Sequence, residues 1–315
     1  MAGTAFLLTL SLAFLFSNVT AIEDGLNPGY SRSFGYDDLD RLTWDSGVSA
    51  AAPTYSYDGN GNRLTRTATL GGLLSQALTY TPASNRLATF QEGAASPTTA
   101  QYDGMGNLAQ YRPGVLIGYD AGGRLASVWD AGIATGAQTL YNGLGELARS
   151  RLWTPAPCDD EQLLLAMEYF SFAPDGRALE LRSEKLWSTH TDYVWLDGQP
   201  VAQFMDSYDP SGVYQGTAVT YLHTDQLGTP RLGTDAQRAV TWRWRSEAFG
   251  SAVPTGPAIV RLRLAGQLDL GIGGINYSVC IPARAGQAFR SMSGRKSDLA
   301  AVKSEKKLPK APFSR

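Results

Sequence analysis

Cysteine, histidine and lysine are scarce in this 315-residue chain, and each scarcity closes off a class of function. Cys158 and Cys280, the only cysteines, lie 122 positions apart with no CxxC pair, so neither a disulfide scaffold nor a cysteine-rich metal site is supported. His190 and His223 are the only histidines, which leaves little for histidine-based catalysis or ligation. Charged residues make up 18% of the chain, and 27 basic against 29 acidic side chains leave a net charge of −2. That balance argues against a nucleic-acid-binding surface spread over the molecule. Long apolar runs are lacking too. Ala5 to Phe16 is the one such stretch, too short to span a bilayer but suited to the hydrophobic region of a signal peptide. Val19-Thr20-Ala21 offers a cleavage site, whereas Met1 to Thr4 carry none of the usual positive charge. Residues 1–17 therefore read as an apolar leader, either a signal peptide or a start artefact. A working signal places the chain outside the cell or on its surface, and otherwise it stays cytoplasmic. It is not a transmembrane protein unless the leader is retained.

Lysine is confined to one end. Five of the six lysines fall within residues 281–315, which carry nine basic and two acidic side chains, a balance of +7. The preceding 280 residues carry −9 and use arginine almost exclusively. The tail reads as a solvated, disordered end.

What is plentiful points to strands. Hydrophobic residues make up 43%, enough for a core; Gly (34) and Pro (16) together exceed the usual share of about 12%, and there are 15 tyrosines. The chain also repeats. Aligned on an aromatic residue it reads YDDLDRL from Tyr36, YDGNGNRL from Tyr57, YTPASNRL from Tyr80, YDGMGNL from Tyr102, YDAGGRL from Tyr119 and YNGLGEL from Tyr141, with a looser FAPDGRAL from Phe172. The first six copies are spaced 21, 23, 22, 17 and 22 residues apart, with alternating rather than helical apolar patterns between them. Each unit fits strand, turn, strand. The tyrosine ends a strand with its ring on a packed face and its hydroxyl free to find a partner. Asp37, Asp58, Asp103 and Asp120 can accept backbone N–H groups two residues on, and Gly61, Asn62, Gly106, Asn107, Gly122 and Gly123 tolerate the positive φ such turns need. Arg41, Arg63, Arg86 and Arg124 can lie across the aromatic ring of a neighbouring unit. The expected fold is all-β: hairpins of about 20 residues, stable only when stacked.

These units resemble the YD repeats of the Rhs family, shared with teneurins and with the shell-forming components of insecticidal toxin complexes. The resemblance extends to Tyr193-Val-Trp-Leu-Asp-Gly-Gln-Pro-Val-Ala202 and to the segment from Tyr221 to Leu232. That segment is close to the family's YxHxDxLGTPR signature at Tyr221, His223, Asp225, Gly228, Pro230 and Arg231, and is followed by Trp242-Arg-Trp244 through Phe249-Gly250. The resemblance implies a hairpin array over residues 18–280, forming an incomplete part of a spiral Rhs-type shell. Family shells enclose a C-terminal toxic polypeptide, which an aspartyl autoprotease block of DPxGL type releases. That block has no counterpart after Arg261-Leu-Arg-Leu, so the chain is expected to be a stretch from the end of a shell, truncated on both sides. About a dozen hairpins cannot close a spiral, and open strand edges are expected to drive association.

Sharper chemistry finds less support. The recurrent aspartates sit at turn positions rather than forming a glycosidase-type pair. His223 and Asp225, two apart on a strand, share a face but lack a nearby nucleophile. Gly271-Ile-Gly-Gly274 does not make a dinucleotide loop. Trp187, Trp195, Trp242 and Trp244 could stack on sugar, with core packing the default. The expectation is a non-enzymatic shell segment without cofactors, whose partners are neighbouring shell segments or a polypeptide toxin cargo and not nucleic acid. The alternatives are a surface or secreted carbohydrate-binding protein and an inactive remnant.

Overall fold

The computed structural model describes residues 8–9, 18–24, 28–46, 52–68, 74–155, 162–185, 188–225, 227–250, 252–264, 266–272 and 275–278. Most of the leader, Trp187, both cysteines and the whole 281–315 tail lie outside them. The described chain is all-β apart from one 3-10 turn at Pro28–Tyr30. Every strand pairs antiparallel with its neighbours in sequence, so the order along each sheet is the order along the chain. Nine strands run from Leu8–Thr9 to Thr98–Thr99. A short pair, Gln101–Tyr102 with Leu108–Gln110, follows, and then eleven strands from Val115–Tyr119 to Val240–Arg243. Among the described residues no helix is long and apolar enough to cross a membrane.

The repeat explains this meander. In unit after unit the aspartate Oδ1 accepts the backbone N–H groups of the second and fourth residues on. Asp58 takes those of Asn60 and Asn62 at 3.0 and 2.8 Å, and Asp103 those of Met105 and Asn107 at 3.0 and 2.7 Å. The residue three after the aspartate has positive φ, as at Gly61 (85°), Gly106 (80°) and Gly123 (73°). Asn62 and Asn107 play a different part from the one expected of them, since their side-chain amides donate to the free aspartate oxygen at 2.8 Å. A β-bulge falls at the tyrosine of each unit, at Gly35/Tyr36, Ser56/Tyr57, Gly118/Tyr119 and Leu140/Tyr141 among others. The bulge adds local twist and bends the sheet into a curve. The phenol then reaches back one unit: Tyr36 donates to the Val19 carbonyl, Tyr57 to Leu42 and Tyr102 to Leu87, each at 2.8 Å, and Tyr119 to Leu108 at 3.1 Å.

These bonds set a pH window. Asp58 is held below the usual carboxylate range by the Asn62 amide and by the two turn N–H groups. At Asp120 burial pushes the other way, but the N–H groups and Arg124 outweigh it and its carboxyl is lowered too. Burial pushes the phenols of Tyr57, Tyr119 and Tyr141 up to about 12. A lowered acid stabilises the fold above its unfolded value, near pH 4, and that contribution is lost as pH falls through the folded value. A raised phenol stabilises the fold below pH 10, and that contribution is lost as pH rises from about 10 to about 12. Urea midpoints should therefore be flat across neutral pH and fall on both flanks, with the part of the tyrosinate absorbance that belongs to the half-buried repeat phenols delayed toward the unfolding step at high pH.

The eleven-stranded meander ends at Arg243, and one further antiparallel pair, Gln267–Asp269 with Asn276–Ser278, follows apart from it. Beyond Arg243 the chain turns back along its own sheet. Arg243 and Thr255 exchange backbone bonds at 2.8 Å, and Ala258 N–H donates to Thr241 O at 3.0 Å. The last strand's edge is therefore covered, which removes at that end the open edge expected to drive association. Gly256 makes this possible. Its φ is 110°, and a Cβ there would overlap the Thr241 carbonyl oxygen. Gly256→Val is expected to cost roughly 2–4 kcal/mol from strain and overlap. It should also raise the mass of the species seen by light scattering, whereas an unchanged midpoint and an unchanged mass would refute the edge-cover assignment.

Candidate functional site: a polar plug inside the sheets

The signature residues 221–231 belong to the same repeating device. Asp225 Oδ1 accepts the Leu227 and Thr229 N–H groups at 3.0 Å, Gly228 has φ 80°, and Arg231 Nε donates to Asp225 Oδ2 at 2.9 Å. Arg231 then lies over the Trp244 ring at 5.4 Å. Arg41 bridges Asp37 and the Tyr57 ring in the same way, as Arg124 does Asp120 and Tyr141, and Arg177 does Asp175 and Trp195. Each guanidinium thus joins its own turn to the aromatic of the next unit, and Trp244 is the aromatic for the signature turn. Pro230 is buried, while Tyr221 projects outward. Asp225 and His223 are held by different partners. Both Asp225 oxygens serve the turn and Arg231, while His223 Nε2 lies 3.0 Å from the Thr234 hydroxyl. Burial lowers the His223 pKa and favours the neutral ring.

Arg63 breaks the pattern. Aligned by letters it matches Arg41 and Arg124, yet it pairs opposite Tyr57 in the register where Leu42, Leu108 and Leu147 face Tyr36, Tyr102 and Tyr141. An arginine therefore occupies an inward leucine slot and is 2% exposed. It crosses the ring of Phe249 at 4.8 Å and donates to Gln76 Oε1 at 2.9 Å.

What it meets there is the returning chain. Glu247, fully buried, accepts the Tyr55 hydroxyl at 2.9 Å and the Phe249 N–H at 2.7 Å, and pairs with fully buried Arg66 at 3.6 Å. Gln76 continues the network to Glu92 at 3.1 Å. Burial and the neighbouring Glu247 carboxylate push the Tyr55 phenol well up, so it stays a donor. Beside this network Tyr30 is faced by two guanidiniums, Arg243 at 4.1 Å and Arg245 at 4.5 Å.

Further along, the same segment fills the wider sheet. Val260, Leu262, Leu268, Leu270, Ile272 and Ile275 pack against Val128, Phe170, Leu181, Tyr193 and Leu222 in one cluster. Full burial of each such side chain is worth about 2 kcal/mol. Arg261 makes a bidentate pair with Glu168 at 2.8 and 3.2 Å and also donates to the Asp269 carbonyl. Gln203 donates to the Ile259 carbonyl at 2.7 Å, and the Tyr277 hydroxyl accepts from the Leu147 N–H at 3.0 Å. The described residues between 244 and 278 are therefore a plug that ties the first sheet to the last. Trp242 and Trp244 are 2% and 1% exposed, and Trp195 spends its N–H on the Ala178 carbonyl at 2.7 Å. The described tryptophans of the expected sugar platform are thus taken up by packing. The cleft between Phe172, Arg177, Trp195 and Leu262 is about the size of one water molecule.

No family model matches the sequence. The chain is similar to the double-stranded DNA deaminase toxin A of Burkholderia cenocepacia (strain H111), with 24% identity over 282 residues covering 78% of this chain. It spans only 19% of that protein's length. Among solved structures, it is similar to a chain of the TcdB2-TccC3 crystal structure, with 13% identity and TM-score 0.43, covering 82% of this chain and 17% of that one. A second similar chain belongs to the Photorhabdus luminescens Tc holotoxin pore, with 12% identity and TM-score 0.30, covering 82% of this chain and 18% of that one.

Proposed function

We propose that this chain is a closing segment of an Rhs-type, YD-repeat β-shell that works beside a polypeptide toxin, with no reactive centre of its own. One observation carries the reading: the Asp-turn, the guanidinium bridge and the next unit's aromatic recur up to Trp244, after which the chain packs against the buried face of the same sheet. A wall of repeats that ends in a plug is the form expected of the end of a container. The similarity to about a fifth of a larger deaminase toxin supports it, because a segment of that size fits alongside a toxic domain carried elsewhere in such a chain. The buried carboxylates and guanidiniums are engaged with one another, which suits a structural role. The buried face of the wide sheet is already occupied, so enclosure of a cargo requires further wall beyond these residues.

The test is co-expression with a polypeptide carrying additional repeats of this type joined to a reporter. The chain should co-purify with it and slow proteolysis of the reporter; digestion at the rate of the free reporter would refute the shell reading. Incubation of the purified chain with double-stranded DNA should yield no deaminated base by mass spectrometry. Turnover there would refute the non-enzymatic half independently.

A further inference from the structure

The outward face of the eleven-stranded sheet is not uniform. In the first sheet, the outward rows are hydroxyl pairs such as Ser56–Thr65 and Thr79–Thr89. Toward the other end the outward charges answer one another, Arg182 with Glu184 at 2.8 Å and His190 with Glu180 at 2.9 Å. Between these regions, on the strands Val115–Tyr119, Leu125–Asp130, Thr135–Tyr141, Leu147–Pro155 and Gln162–Phe172, the face carries two apolar groups separated by a polar row, Ser127, Gln138 and Arg151, in which Arg151 donates to Gln138 Oε1 at 3.4 Å. Cross-strand register places Leu116 beside Trp129, Trp129 and Trp153 on either side of Gly136, and Leu140 and Tyr169 on either side of Arg149. The Trp153 ring covers Gly136, where any Cβ would overlap it, and stacks on Trp129 at 5.1 Å with an interplanar angle of 18°. A glycine gap thus fixes two indoles as a rigid plane. Leu116, Leu140 and Tyr169 are 51%, 52% and 38% exposed. Arg149 forms no ion pair among the described residues, although the first 280 residues carry a net charge of −9.

Aromatics, exposed leucines and an unanswered arginine, with the marginal carboxylate Glu184 already taken by Arg182, form the composition of a protein-binding hot spot. We propose that this face docks a polypeptide that presents carboxylates beside apolar side chains. Charge complementarity selects that occupant: face-to-face pairing of two copies would set Arg149 near its own symmetry mate, and the aromatic plane needs an apolar counterpart. The inference does not depend on the shell reading.

The test uses the full chain and two fluorescein-labelled peptides, one alternating glutamate with leucine and one alternating lysine with leucine, read by anisotropy. The glutamate peptide should bind saturably and quench tryptophan fluorescence, and Arg149→Glu should weaken it at least about tenfold with an unchanged melting midpoint. Arg238→Glu, on the distant turn after Asp235, should leave the affinity within about twofold. Leu140→Ser provides the same reading should Arg149→Glu fail to fold. Absence of saturable binding, equal binding of the lysine peptide, or indifference to both Arg149→Glu and Leu140→Ser overturns the proposal. Sedimentation showing self-association that Arg149→Glu abolishes overturns it as well, because a second copy would then be the occupant.

Discussion

Glu247→Ala is expected to lower the stability of this chain by about 3–5 kcal/mol, the usual cost of removing one partner from a buried ion pair. The carboxylate is fully buried, and its loss removes the acceptor of the Tyr55 hydroxyl and one of two carboxylates facing Arg66, leaving Glu92 at 3.8 Å and the Leu74 carbonyl. The defect should also be local before it is global. Glu247 and Phe249 join the returning chain to Tyr55, Arg63 and Arg66, so the variant should expose residues 244–250 to protease while the hairpins from 125 to 224 stay resistant. Glu247→Gln keeps an acceptor for Tyr55 and should recover part of the loss. A urea midpoint for Glu247→Ala within error of the parent would mean that the contact between the plug and the first sheet does not form in solution.

Glu168 and Arg261 make the second large prediction. Their bidentate pair lies between the strand Gln162–Phe172 and the plug, with Glu168 buried and Arg261 17% exposed. Glu168→Leu alone should cost about 3–5 kcal/mol, since Arg261 would be left buried without its carboxylate. The double variant Glu168→Leu with Arg261→Met should return most of that, because an apolar pair of similar volume avoids the desolvation that the ion pair must offset. Strict additivity of the two single effects would show that the residues do not meet. Arg261→Met alone should resemble Glu168→Leu, with the carboxylate the stranded group.

The repeat units were legible because their turns are local. An aspartate with a glycine three residues on is enough to fix the Oδ1 bonds and the positive φ, and the same spacing recurs at Asp209/Gly212 and Asp225/Gly228. The first is readable as a turn from its Asp-Ser-Tyr-Asp-Pro-Ser-Gly setting; the lack of a tyrosine immediately before Asp225 hid the second. Arg63 was misplaced for a related reason. Asn62 fills the position that Arg41 and Arg124 hold, so the arginine moves one residue on, and a one-residue step exchanges a rim position for an inward one. The plug was not legible. Its partners lie far off in sequence, Tyr55 with Glu247 and Glu168 with Arg261, and no periodic pattern encodes such pairs. The alternation in Arg261-Leu-Arg-Leu264 was a usable sign of an extended segment, yet it said nothing of where the arginines would go. The outward Trp129–Trp153 plane was hidden likewise, since it depends on the register that brings Gly136 between them.

Hydrogen–deuterium exchange of the intact chain, followed peptide by peptide, tests the plug most directly. Amides of residues 258–272 should exchange as slowly as those of strand Gln162–Phe172, since both belong to one buried cluster, while the turn at 235–239 exchanges fast. Exchange of 258–272 at the rate of an unstructured peptide, with the hairpins still protected, would show an open array and contradict a chain that fills its own interior.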